Sequence, residues 1–442
     1  MTLSTQPYKG SRDFYPEDKR LQKYMFATMR KVVEKFGYEE YDAPILEPTE
    51  LFASKTSAEI VNEQTYTFND RGDRSVTIRT EMTPSVSRMV AGRRQELAYP
   101  IRWYSIPNIW RYERPQRGRL REFWQLNVDI FGIDGIEADH EAILVADSIM
   151  REFKAKRDMY TIKINSRQLM DTLFADYLKL SNTQSHAMAQ LIDRMHKMEY
   201  AEFVATLDAL FQPNQRENGE TELLLNFLNL KTINDLPGEL RVHPSVLELQ
   251  VLMDLLIKSG VTNFEFDPTL MRGFEYYSDI VFEVFDTHPE NNRAMFGGGR
   301  YDGLVGLFGV EPVPTVGFGM GDVTLQNFLE SHNLLPELRT ETDAYVILIG
   351  DVYERAQPIF REFRKLGARL AVDATGRKPD KQIKTAVKKG IHYAIFIGEK
   401  ELADGRFVLK NLISGSDERH GVERTVSIIK DYRQNGEVDE SD

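Results

Sequence analysis

Apolar residues at Leu21, Met25, Met29, Val32, Val33 and Phe36 recur with the spacing of one helical face, and Gly37 closes the run, which predicts a helix over 17–36. Farther along, the period shortens to two. Residues 101–112 and 122–132 read as two strands around a loop rich in Arg, Pro, Gln and Gly, the pattern of a hairpin with a long functional tip. Successive side chains alternate across a strand, so Phe123, Gln125 and Asp129 share one face while Trp124, Leu126, Val128 and Ile130 share the other. The apolar set belongs to the core. The remaining face therefore turns a ring, an amide and a carboxylate toward something that is not core, and Arg111 and Glu113 are paired in the same way on the preceding strand.

A further strand is predicted over 160–164, before the turn at Asn165 and Ser166. From Gln168 to about Val251 the pattern is helical, with an amphipathic run over 186–211 and an interruption by Pro, Asn and Gly over 212–221. Strand-like patterning resumes at Asn263, so the helices form an island inserted between two pieces of one sheet. After Glu341 strands over 345–350, 368–373 and 393–398 alternate with helices over 356–366 and 378–389, the rhythm of a parallel or mixed sheet covered by helices. Residues 331–341 are the expected linker.

With 442 residues the chain exceeds what one core usually serves, and 41% hydrophobic with 28% charged residues describes a globular protein. No apolar run approaches the roughly 20 residues of a membrane helix. The opening MTLSTQPYKG has neither an apolar secretion segment nor an arginine-rich import pattern, so no membrane partner and a cytoplasmic location are expected. The chain has no cysteine, and its eight scattered histidines make no zinc spacing, so no direct protein ligand for a metal is expected. A net charge of -12 argues against nucleic acid on the total, but residues 361–389 are dense in Arg and Lys. That run reads as a solvated helical face when taken alone.

Five segments, in order along the chain, carry a resemblance. The run 111–132, RYERPQRGRLREFWQLNVDIFG, looks like the second signature motif of class II aminoacyl-tRNA synthetases, in the version of the histidyl-tRNA synthetase family. LMRGFEYYSDIVFE over 270–283 and GGGRYDGLV over 297–305 resemble two peptides peculiar to that family. IRTEMT over 78–83 is similar to its amino-acid-binding strand end, and GSRDFYPED over 10–18 to its N-terminal element. Pro44 stands at the place of the proline in the first class II motif, which builds a dimer interface in the family; an edge-strand or loop proline accounts for it equally well.

The resemblance implies an α+β class II synthetase catalytic core over 1–335, a mainly antiparallel sheet flanked by helices. A helical insertion would span 168–256 and reach the acceptor arm of tRNA. A C-terminal α/β anticodon-binding domain would span 342–434, before an acidic disordered tail over 435–442. The implied partners are L-histidine, ATP, tRNA(His) and a second copy in a homodimer, with Mg2+ bridging the ATP phosphates.

Amino-acid activation is attack of a carboxylate on the α-phosphorus of ATP, so catalysis is mostly positioning and cationic stabilisation. By resemblance Arg111 and Arg272 reach the α-phosphate as the catalytic cations, Phe123 stacks on adenine beside Glu113, and Arg119 and Arg121 are further ATP-site cations. Glu81, Thr83 and Gln125 match positions for the histidine amino group; Asp129, Tyr276 and Tyr277 match those near the ring. Adjacent tyrosines point to opposite faces of a strand, so at most one of the last two touches ligand. Gln116 and Arg119 would read the extra 5′ guanosine of the tRNA, and Arg377, Lys381 and Lys384 would contact the anticodon arm on one basic face. The third class II motif falls in VGFGMGDVTL over 316–325, where Thr324 stands at the place of the usual arginine. Arg121, on a loop expected to be exposed, and Arg119 are the nearest candidates to replace it.

The resemblance thus implies a histidine–tRNA ligase. The rival from another class is a non-catalytic relative, the regulatory subunit of ATP phosphoribosyltransferase, which generally lacks the C-terminal domain and catalytic arginines. A generic nucleotide-binding α/β protein with a basic RNA-binding tail fits the composition but not the ordered motifs.

Overall fold

The computed structural model describes residues 3–53, 64–271, 277–291 and 293–438. The chain divides into two compact units, Met1–Phe14 with Gln22–Leu335, and Tyr15–Leu21 with Pro336–Asp442. The amphipathic run at the start forms the helix Pro16–Lys35, with Met25, Met29, Val32 and Val33 buried as the spacing requires.

The larger unit is organised by a nine-stranded sheet. Its strands are β1 (Glu39–Glu40), β5 (Ile101–Ser105), β6 (Asn108–Trp110), β7 (Glu122–Phe131), β8 (Tyr160–Ser166), β9 (Phe264–Phe266), β10 (Ile280–Asp286), β11 (Ala294–Arg300) and β12 (Thr315–Gly321). The order is β1-β5-β7-β12-β11-β10-β8-β9, with β6 also paired to β7. The inner neighbours are antiparallel, and only the outer pairs β1/β5 and β8/β9 are parallel. Residues 101–112 are not one strand: β5 ends at Ser105, β6 begins at Asn108, and the Pro107 carbonyl between them accepts the Gln125 N–H at 3.1 Å. A small separate sheet consists of β2 (Leu46–Pro48), β3 (Tyr66–Asn69) and β4 (Ser75–Ile78); Pro44 lies just before it, outside any strand.

Register gives the large sheet two unlike faces. On one, Leu126, Val128 and Ile130 of β7 continue through Val316, Phe318 and Met320 of β12, Phe296 of β11 and Phe282 of β10, all buried. The helices Glu137–Glu152 and Asp322–Ser331 pack against this face. On the other, Gln125, Asn127 and Asp129 are followed by Gly317 and Gly319, then Gly299 and Gly297, then Glu283, then Lys163 and Asn165. Toward β5 the helix Thr83–Gly92 closes this second face through a cluster that includes Val86, Val90, Ile101 and Phe131. The helices between β8 and β9 bury apolar residues of their own, among them Met188, Ile192, Phe203, Leu207 and Leu224.

The smaller unit carries a five-stranded sheet of β13 (Ala344–Leu348), β14 (Leu370–Val372), β15 (Tyr393–Ile397), β16 (Phe407–Asn411) and β17 (Asp417–His420), ordered β14-β13-β15-β16-β17. β13 runs parallel to both neighbours, and the remaining pairs are antiparallel. Phe360 and Phe363 of the helix Gln357–Lys365 pack with Val346, Leu348, Ile395 and Ile397 on one side of the sheet. Ile383 and Ala386 of the helix Pro379–Lys388 pack with Tyr345, Ile347 and Ala394 on the other. The basic run 361–389 is therefore not one face, because the chain crosses the sheet between its two halves. Buried in the second half, the Gln382 side chain accepts from the Leu348 N–H at 3.1 Å and donates to the Leu348 carbonyl at 3.1 Å and the Arg377 carbonyl at 2.6 Å.

Candidate active site

Asp129 lies on the glycine-bearing face of β7, only 3% exposed. One carboxylate oxygen accepts a hydrogen bond from Tyr301 and the other from Tyr41 at 3.4 Å. Burial raises its carboxyl to about 7, against the two hydroxyl hydrogen bonds, which pull the other way. Tyr277 stands edge-on to Tyr301 with ring centroids 6.4 Å apart. Gly317 is paired with Asp129 in register, and a Cβ there would come within 2.5 Å of the carboxylate and 2.7 Å of the Tyr301 hydroxyl. A Cβ at Gly319 would run into the Gln125 side-chain nitrogen. Glycine at 317 and 319 thus makes room for the Asp129, Tyr301 and Gln125 side chains to lie close over the sheet.

Among the described residues, the buried side-chain oxygen of Gln125 has no hydrogen-bond partner, and the Thr80 hydroxyl is in the same condition. Buried polar atoms are normally satisfied, so such groups beside a glycine floor mark where a polar ligand would bind. Arg79 fixes the segment that carries Thr80, Glu81 and Thr83. It is 6% exposed, and its guanidinium reaches the Asn108 carbonyl at 2.9 Å and the Ala43 carbonyl at 2.7 Å. Arg111 then donates to the Thr80 carbonyl at 2.9 Å, with its guanidinium 5.5 Å from the centre of the Phe123 ring. Glu81, Thr83, Arg111, Phe123, Gln125, Asp129 and Tyr277 thus belong to one region, assembled from four stretches of sequence.

The loop between β6 and β7 turns at Gly118 (φ +77°), where Gln116 and Arg119 exchange backbone hydrogen bonds of 3.0 and 2.9 Å. Arg119 is exposed and pairs with Glu113 at 3.3 Å. Arg121 differs from its expected place on an exposed loop. It is 9% exposed, lies 3.9 Å over the Tyr112 ring and donates to the Tyr8 hydroxyl at 3.0 Å and the Glu113 carbonyl at 3.1 Å. A segment more than a hundred residues upstream buries it. Thr324, in the first turn of the helix Asp322–Ser331, donates to the Met295 carbonyl at 2.8 Å, and its methyl group faces Gly118.

Arg300, beside the triple glycine, points to the opposite face of the sheet. There it pairs with buried Asp139 of the helix Glu137–Glu152 and donates to the Gly135 carbonyl at 2.9 Å, a structural pin and not a ligand group. Arg272 and Tyr276 lie outside the described residues. Among the C-terminal candidates, Lys381 and Lys384 are exposed, whereas Arg377 is paired with Asp373 at 2.9 Å. Tyr41 had no motif to announce it; Thr80 sits in the IRTEMT run and Tyr301 in the GGGRYDGLV run, but neither is among the residues the resemblance assigns to the site.

Residues 10–323 match the family profile described as Histidyl-tRNA synthetase, and residues 343–432 the profile described as Anticodon binding domain. The chain is 42% identical over 414 residues to the histidine–tRNA ligase of Leptospira biflexa serovar Patoc, covering 93% of this chain and 94% of that one. It is 36% identical over 435 residues to the histidine–tRNA ligase of Thermococcus kodakarensis, covering 95% and 97%. The fold is similar to the crystal structure of histidyl-tRNA synthetase from Nostoc sp. PCC 7120, with TM-score 0.80 over 98% of this chain and 100% of that chain at 23% identity.

Proposed function

Because the chain belongs to the histidyl-tRNA synthetase family, we infer that it is a histidine–tRNA ligase, converting histidine and ATP to histidyl-adenylate and pyrophosphate and then charging tRNA(His). The non-catalytic regulatory subunit is not favoured, since curated ligases align over nearly the whole chain and an anticodon-binding profile matches its C-terminal unit.

In this reading the imidazole of histidine sits against Asp129, with Tyr277 at its edge, while Glu81, Thr83 and Gln125 receive the ammonium. A carboxylate that accepts from one ring nitrogen leaves the other as an acceptor, and a site with polar groups to satisfy rejects side chains that cannot pair with them. Adenine stacks on Phe123 near Glu113, Arg111 and Arg272 neutralise charge growing on the α-phosphate, and Arg119 supplies a further cation. Mg2+ enters with ATP as part of the substrate. Arg121, committed to Tyr8, Tyr112 and Glu113, supports the loop instead of reaching the phosphates. Gln116 and Arg119 at the loop tip face the end of the tRNA, and Lys381 and Lys384 contact its anticodon arm. A homodimer in the cytoplasm completes the reading; Ile45 (47% exposed), Leu46 (44%) and Phe68 (47%) on the small sheet are apolar surface a second copy would cover.

The observation that carries the reading is the register that sets Asp129, Gly317 and Gly299 side by side on a face with unsatisfied buried oxygens. Its test is histidine-dependent exchange of pyrophosphate into ATP. Exchange is expected in the intact protein and should fall about 100- to 1,000-fold in Arg272→Ala. An intact protein without exchange would overturn the reading.

A further inference from the structure

Residues 8–14 cross the base of the arginine loop as an irregular strap. The Gly10 carbonyl accepts from the backbone N–H groups of both Arg121 (2.8 Å) and Glu122 (3.1 Å), and Tyr8 receives Arg121. Two residues on, Arg12 donates to the Asp322 carboxylate at 2.7 Å. The second oxygen of Asp322 accepts from the Trp124 N–H at 3.0 Å, and the Trp124 ring meets Phe14 edge-on at 5.2 Å. The Arg12 guanidinium in turn lies 4.9 Å from the centre of the Phe14 ring. Strap, helix and strand are closed into one ring of contacts: Arg12, Asp322, the backbone at Trp124, and Phe14.

Its location gives the ring a meaning beyond packing. Trp124 is the residue between Phe123 and Gln125, and Asp322 opens the helix whose first turn holds Thr324. Asp322 is only 3% exposed, and burial raises its carboxyl while Arg12 opposes the rise. Without Arg12 the carboxylate would be buried with backbone partners alone, and would protonate or move toward water. Either response shifts the hydrogen bond that holds the strand at Trp124. Asp129 lies five residues along the same strand, about 17 Å away at the usual rise per residue, and is held by other groups.

We propose that Arg12 is a positioning residue for the nucleotide half of the site: through Asp322 it holds the Trp124 backbone, and with it Phe123, against the Thr324 turn, and so governs ATP use more than histidine use, which it reaches only through neighbouring Gln125. The proposal rests on the reading of Phe123 as the adenine platform. Charge-assisted hydrogen bonds of this kind are worth about tenfold or more, so Arg12→Ala should raise KM for ATP in pyrophosphate exchange about tenfold. KM for histidine should rise several-fold less than KM for ATP, because Asp129 lies five residues along the strand and only Gln125 of the histidine set adjoins Trp124. Arg12→Lys, which keeps the ion pair, should recover most of the loss. Arg12→Ala combined with Asp322→Asn should be no worse than Asp322→Asn alone, because both remove the same link. Equal rises in both Michaelis constants, or a fall in kcat alone with a lowered melting temperature, would make the strap a general prop and overturn the proposal. Calorimetric titration with ATP runs beside the kinetics. If the intact protein binds ATP without exchange and Arg12→Ala weakens that binding, the ligase reading fails and the strap stands; if ATP does not bind the intact protein, both fall.

Discussion

The two faces of the nine-stranded sheet share one set of backbone hydrogen bonds and differ only in what alternate residues carry. On the helix-covered face the alternates are mainly Leu, Val, Ile, Phe and Met, buried beneath Glu137–Glu152 and Asp322–Ser331, with Arg300 among them. On the other face the alternates of the central strands are mainly Gly, Asn, Asp, Gln and Glu, with Val281 and Phe131 among them. A strand that loses its side chains on one side loses packing there, so stability has to come from the opposite side. The site is thus built by subtraction. Glycine makes room for the buried polar side chains that lie over it, and the apolar reverse carries the cost of both.

Mutations on the two faces should therefore separate stability from activity. The largest effect is expected on the reverse face at Arg300. Arg300→Met leaves Asp139 buried without its partner, and breaking a buried pair from one side costs about 3–5 kcal/mol. Chemical denaturation should show that loss while the Michaelis constants of the folded fraction stay unchanged. A shifted KM for histidine would mean that the faces are not independent.

Next in size is Gly317→Ala on the site face. The added methyl would meet the Asp129 carboxylate and the Tyr301 hydroxyl, and a displacement of that order costs about 100-fold in rate. Histidine-dependent exchange per folded molecule should fall accordingly, and because the methyl would also come within 2.6 Å of the Val128 backbone carbonyl the melting temperature should fall with it. Full activity in this variant would remove the glycine floor from the argument.

Asp129→Asn should weaken histidine use by about 1–3 kcal/mol and leave KM for ATP in place, since only the partner of the ring changes. It also carries a pH signature. An unfolded aspartate titrates near about 3.9, whereas burial raises Asp129 to about 7, so between these values the native state binds the extra proton. Stability from the protonated form is complete below the lower value and is lost as pH rises through the upper one. The intact protein should therefore lose stability relative to Asp129→Asn from pH 5 to pH 8 and no further above it. Parallel stability curves would place the carboxylate in a wetter setting than its burial describes.

The smallest effect extends the comparison to the second sheet. Lys381→Glu with Lys384→Glu on one of its sides should lower aminoacylation about tenfold at low salt and spare pyrophosphate exchange. Arg361→Glu with Arg364→Glu, on the other side, should not. Equal losses from both pairs would mean that RNA is recognised by charge alone and not by one side of the sheet.

The alternation of β7 was legible because period-two patterning is a local property: Leu126, Val128 and Ile130 are buried, and Asp129 faces the site, as the spacing required. The helices of the insertion and the alternating elements of the C-terminal unit were readable for the same reason. Of the residues taken from the family peptides, Arg272 and Tyr276 fall outside the described residues. What sequence did not carry was contact between distant segments. Nothing near Arg121 shows that Tyr8 will cover it, and nothing near Asp129 names Tyr41 as its partner. Arg300 stands in a family-specific peptide yet belongs to the core, a difference set by one step of register. The basic run 361–389 misled in the opposite way. Its charges are neighbours along the chain, but a strand between two helices sends them to opposite sides of a sheet.

Gln382 closes the end of β13 where β14 has already stopped. A primary amide carries the same donor and acceptor as a peptide group, so its side chain stands in for one residue of an absent strand. The helix that bears it is consequently keyed to the sheet in both rotation and height, and Lys381 and Lys384 on either flank inherit that setting. What is set in this way is the height of the two lysine backbones over the sheet, while their ammonium groups move on flexible stems. Shortening the key by one methylene, as in Gln382→Asn, would leave the charge intact and loosen the helix against β13.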